Sequence, residues 1–165
     1  MTDHRQDLLC LLRSAYALAQ NVEQLLRRCI DRHARHVGLV AQIDAFLTQT
    51  LDEQRMLREC LHRIEDGEHT PRLLANGGVT EIQRPSGQSE DDALRDLSHV
   101  RALVLAEIDL YHSGIATAEA SGFFETRFVC EGILTQKALM TEWLSLDMPS
   151  YTRIVDGLAY APTVR

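Results

Sequence analysis

Apolar residues recur at intervals of three and four along most of this chain, which is the period of one helix face. From about Asp7 to His33 the stripe is Leu8, Leu9, Leu12, Ala15, Tyr16, Ala19, Val22, Leu25, Leu26 and Cys29, with Asp3 or Thr2 placed to cap its start. From about Val37 to Glu65 it is Val40, Ile43, Phe46, Leu47, Thr50, Leu57, Cys60, Leu61 and Ile64. The short link His33-Ala34-Arg35-His36 predicts antiparallel packing of these first two helices.

The pattern breaks between Asp66 and Asp92. Gly67, Pro71, Gly77-Gly78, Pro85 and Gly87 punctuate the segment, with Leu73, Leu74 and Val79 as a short helical turn. Periodicity resumes from about Ser89 to Gly122 through Leu94, Leu97, Val100, Leu103, Val104, Glu107, Ile108, Tyr111, Ile115 and Ala118. Ser89-Glu90-Asp91-Asp92 suits a helix start and Gly122 a helix stop. A fourth helix is predicted from about Phe124 to Leu146, on Phe128, Val129, Ile133, Leu134, Lys137, Ala138, Met140, Thr141 and Leu144. Pro149 is expected to end it, leaving a helical tail from Tyr151 to Leu158 across the bundle.

Neither half can bury its stripe alone. The expectation is therefore one all-α domain over residues 1–165: a ferritin-like four-helix bundle with a long crossover at about 66–92. Composition sharpens this without changing it. The chain is 45% hydrophobic and only 5% aromatic, and no alternating run supports a strand. A net charge of -7 argues against general nucleic-acid binding. No apolar stretch is long enough to span a membrane, and the polar start has no signal-peptide core. Cys10, Cys29, Cys60 and Cys130 have no zinc-type spacing, so a cytoplasmic protein with reduced thiols is expected.

The stretch Ala106-Glu107-Ile108-Asp109-Leu110-Tyr111-His112-Ser113-Gly114, the turn Ala118 to Phe123, Lys137, and packing positions such as Leu12, Tyr16, Thr50 and Leu57 resemble the YciE/YciF-like family of bacterial stress-associated proteins. The resemblance spans roughly Leu8 to Leu144. It implies a ferritin-like fold and a di-metal centre, which needs a glutamate from each of two helices and a glutamate–histidine pair from each of the others. Aligned on that family, the ligand positions fall on Ala19, Phe46, Gln49, Thr135 and Gln136, and only Glu107 keeps its carboxylate. A glutamate buried there needs a partner or a proton.

Other constellations are weaker. Asp109-x-x-His112 has metal-pair spacing and, with Glu107, makes a candidate rearranged site. Glu59-x-x-His62, His33 with His36, and the trio Glu23, Glu131 and Glu142 read as solvated surface groups. The sequence thus points to a non-catalytic bundle with a degenerate metal site and no cofactor. It would act through protein–protein interaction, as a homodimer or with an unidentified protein partner, in a stress-associated setting. The alternative is a residual iron or manganese oxidoreductase or storage protein using Glu107, Asp109 and His112.

Overall fold

Four long helices account for the described residues of a computed structural model. It describes residues 3–65 and 90–159, with side chains over 3–65 and 95–145. Helix α1 is His4–Arg32, α2 is Val37–Glu65, α3 is Glu90–Ser121 and α4 is Phe124–Ala159. The crossover, with its expected turn at Leu73, Leu74 and Val79, lies outside the described residues.

Each helix boundary has a local cause. The Asp3 carboxylate accepts a hydrogen bond from the Arg5 backbone N–H at 3.2 Å and caps α1. At α3's end Gly122 takes a φ of 80°. Phe123 N–H then reaches Ala118 O at 2.9 Å and Gly122 N–H reaches Glu119 O at 3.2 Å, which is a Schellman stop. Phe123 closes the motif by packing on the core block that contains Ala118.

One boundary differs from expectation. Helix α4 runs through Pro149 to Ala159 instead of stopping before it. A proline removes one backbone donor and crowds the preceding turn, a cost of about 3 kcal/mol. A long helix with regular turns on both sides tolerates that loss. The expected tail is thus helical, but as a continuation of α4.

The core lies in two apolar blocks. One unites Leu8, Leu12, Leu61, Ala118, Cys130 and Ile133. The other unites Leu26, Leu39, Leu97, Val104, Met140 and Leu144. These sets fix the directions of the helices. The start of α1 meets the end of α2, the end of α3 and the start of α4, so α1 is antiparallel to α2 and α3 and parallel to α4. Helix α2 therefore ends at the opposite end of the bundle from the start of α3. A helix of this length rises about 43 Å, so the connection between them has to cover the bundle's length. That is the crossover layout of a ferritin-like bundle.

The ten stripe residues of α1 are all buried. Helix α4 buries Ile133, Lys137, Met140 and Leu144 of the expected stripe together with Thr126 and Cys130, while Phe128 and Ala138, also expected inside, are exposed. Polar contacts fasten the ends. Arg5 on α1 donates to the Ile64 carbonyl at 2.8 Å, satisfying an acceptor in the last turn of α2. At the other end Arg32 pairs with the buried Asp96 of α3 at 2.6 Å. Arg63 pairs with Glu125, joining α2 to the start of α4. Among the described residues no helix is long and apolar enough to cross a membrane.

Candidate functional site

Between the two apolar blocks sits a layer that belongs to neither. Its members are Ala19 from α1, Thr50, Glu53 and Gln54 from α2, Glu107 from α3 and Lys137 from α4, all buried. Tyr111, from the edge of one block, reaches into it. Three helices thus bring polar side chains to one buried level of the core, and α1 adds Ala19.

The positions follow from helix geometry. Thr50, Glu53, Gln54 and Leu57 fall on one face of α2 at steps of three and four. Glu107 and Tyr111 are one turn apart on α3, and Lys137 lies one turn after Ile133 on α4. Ala19 contributes only a methyl group, and its carbonyl accepts a hydrogen bond from Gln54 Nε2 at 3.4 Å. The Thr50 hydroxyl donates to the Phe46 carbonyl at 2.8 Å and so needs no partner across the core.

The charged groups form one unit. Lys137 Nζ is 2.5 Å from Glu53 Oε2 and 3.1 Å from Glu107 Oε2. Tyr111 donates its phenolic proton to Glu53 Oε1 at 2.6 Å. The lysine nitrogen thus bridges the two carboxyl groups. Among the described residues Glu107 Oε1 makes no well-aligned hydrogen bond.

Electrostatics decide the protonation. Burial pushes the Glu107 carboxyl up to about 8; the Lys137 charge works against the rise and the negative Glu53 adds to it. Burial also opposes the charge on Lys137, but Glu107 and Glu53 outweigh it and hold its pKa above the ordinary lysine value. Burial, then the neighbouring Glu53, raises the Tyr111 hydroxyl well above its ordinary range, so it remains a donor. Near neutral pH Glu107 keeps its proton, Lys137 is an ammonium and Tyr111 a neutral phenol. The ammonium lies against two buried carboxyl groups, which is what lets the core hold it.

This set does not fit a di-metal centre. Such a centre needs carboxylates from all four helices and two imidazoles. Here α1 supplies a methyl group, no imidazole of the described residues enters the layer, and an ammonium lies where positive charge would go. Among the described residues no group of three or more His, Cys, Asp or Glu side chains is arranged to hold a metal ion.

The positions expected from sequence are only partly gathered at this level. Glu107 is fully buried at the centre, whereas Asp109 and His112 are exposed. At 100° per residue they point away from the face that Glu107 shares with Tyr111, so the structure does not bring the three together. Ala19 lies in the central layer. Phe46 is buried in the second block, edge-on to Trp143 with ring centroids 5.3 Å apart. Gln49 is half-buried one turn from the layer. Thr135 is exposed and bonds its own helix at the Glu131 carbonyl, and Gln136 is half-buried. The inward position of α4 at this level is Lys137, a member of the expected stripe, one and two residues after the aligned positions.

Glu53 and Gln54 are the residues that sequence reading missed. A signal was present: the apolar stripe of α2 skips from Thr50 to Leu57, and helical spacing requires inward positions at 53 and 54. The surface groups behave as expected. Glu59 pairs with Arg55 at 3.0 Å, Glu23 with Arg27 at 3.9 Å, and Glu131 with Arg127 at 3.0 Å. Cys29, Cys60 and Cys130 are buried and Cys10 is exposed. Burial pushes the Cys29 and Cys130 thiols up to about 12, which makes them inert packing groups.

Comparison with known proteins agrees with this architecture. A family model described as a domain of unknown function, DUF892, matches residues 4–154. The crystal structure of a protein from Xanthomonas campestris pv. campestris superposes with a TM-score of 0.74 at 22% sequence identity, covering 93% of this chain and 95% of that one. No curated protein matches the sequence.

Proposed function

The chain belongs to the DUF892 family, and on that premise we propose that it is a non-catalytic bundle acting through protein–protein contact, its metal centre replaced by a fixed internal ion cluster. One observation carries this reading: the Lys137 ammonium lies 2.5 Å and 3.1 Å from the two central carboxylates. A lysine there supplies the positive charge that metal ions supply in a di-metal bundle, but it is covalently fixed and offers no open coordination position. The cluster ties α2, α3 and α4 together at one level and leaves no exposed reactive group at the centre. What remains for contact with other molecules is the outer face of the bundle.

That face has a distinctive stretch on α4. Phe124 is 54% exposed, Phe128 65% and Leu139 62%, and they share one side of the helix with Gly132 and Thr135. Apolar rings this exposed are suited to a protein partner, and a second copy of the chain fits them. In an antiparallel crossing centred near Gly132 and Thr135, Phe128 would meet Leu139 of the second copy. Arg127 would approach its Glu142. The resemblance to the YciE/YciF-like branch supports a stress-associated, cytoplasmic role for this assembly.

Elemental analysis tests the reading. Protein purified from cells grown with added iron and manganese should carry either metal well below one equivalent per chain. Stoichiometric iron or manganese that survives gel filtration would overturn it in favour of a residual metalloprotein.

A further inference from the structure

Three features coincide at Lys137 in the central layer. The lysine side chain is 3% exposed and comes from the one helix whose inward position at this level is basic. Both carboxylates that face it converge on the same nitrogen from different helices. Glu107 Oε1 is fully buried and makes no well-aligned hydrogen bond among the described residues. Two carboxyl groups that converge on one point in the core are a ligand set for a hard cation when nothing else fills that point.

We infer, resting on the metal-free reading proposed above, that the Lys137 ammonium is the resident cation of this bundle, a covalently attached substitute that closes a latent divalent-cation site formed by Glu53 and Glu107. The ammonium and a divalent ion compete for the same space and the same negative charge. With the lysine present, its ammonium fills the space between the two carboxyl groups, so an entering cation would meet like charge and no free oxygen pair. With the lysine cut back to a methyl group, both carboxylates lose their counter-charge and a volume about the length of its side chain opens between them. A divalent ion that prefers oxygen ligands then restores neutrality, taking Glu53 and Glu107 as anionic ligands and water at its other positions.

Manganese(II) chloride is the probe, titrated by calorimetry and by thermal melts at pH 7.5 on the full chain. The wild type should show no saturable binding and an unchanged Tm. Lys137→Ala should gain one equivalent of Mn(II) and a Tm that climbs with Mn(II) concentration, and adding Glu107→Gln to it should abolish both. If Lys137→Ala is unfolded without metal, recovery of its helical circular dichroism with Mn(II) but not with sodium chloride supports the inference equally. Lys137→Ser, small and polar, provides an independent second opening of the site. The inference is overturned if neither variant binds Mn(II), if neither folds even in excess Mn(II), or if the gain survives Glu107→Gln. A wild type that itself takes up Mn(II) stoichiometrically sinks the metal-free reading as well, and does so in the wild-type arm alone. Silent variants beside a silent wild type sink only the role given to Lys137.

Discussion

A single side chain, Glu107, makes the charge state of the core depend on pH. Its carboxyl, ordinarily near 4.5, is lifted to about 8 mainly by burial. Between those values the folded protein keeps a proton that the unfolded chain releases. The unfolded state then binds fewer protons, and stability falls as pH rises. This contribution is fully present below about pH 4.5 and is lost as pH passes through about 8. Glu107→Gln keeps the shape and neutrality of the protonated acid without the titration. Urea melts at pH 5, 6.5 and 8 should show the variant gaining on the wild type with each step, by on the order of 2–4 kcal/mol across the range. A pH-independent difference would show that Glu107 is ionised throughout. Sequence alone placed Glu107 inside the bundle and required a partner or a proton for it. It did not name Glu53 or Tyr111, because nothing local to α2 or α3 says which residues of the other helix lie across the core.

Helices record their boundaries locally, and this is where the sequence is most legible. Gly122 was readable as a stop because only glycine adopts a left-handed conformation without a Cβ penalty, and its φ is 80°. A Cβ added there meets nothing within 4 Å, so the cost of Gly122→Ala is conformational alone. Gly132 is also uncrowded but sits inside α4 without a positive φ. Urea denaturation should therefore separate them. Gly122→Ala should destabilise by about 1–2 kcal/mol, whereas Gly132→Ala should stabilise by about 0.5–1 kcal/mol through helix propensity. Equal effects would mean that α3 does not end on a left-handed residue. The face of α4 was less sharply legible. Its apolar residues lie on two sides, Phe124, Phe128 and Leu139 outside and Ile133, Met140 and Leu144 inside, so periodicity named the buried three but also drew in Phe128. Pro149 misled for a related reason: a helix-breaking propensity of a few kcal/mol is a local preference that a long regular helix can override.

For the molecule as a whole, the outer side of α4 predicts association. A dimer built on the antiparallel crossing of two α4 helices should sediment as such at micromolar concentration, and Phe128→Glu should shift it to monomer with no loss of helical circular dichroism. A wild type that sediments as a monomer throughout would remove the dimer. What the sequence determined by itself was the four helical segments, the break in pattern between the second and third, and the buried face of α1, since these follow from period and punctuation along the chain. Only the tertiary structure decided that Glu53, Glu107, Tyr111 and Lys137 share one layer and that Asp109 and His112 do not join it. The reason is physical: a helix presents every residue to some direction, and which direction becomes the centre is set by the rotation of four helices packed against one another. That packing turned Glu107 from a leftover ligand into one member of a buried cluster with a lysine as its cation.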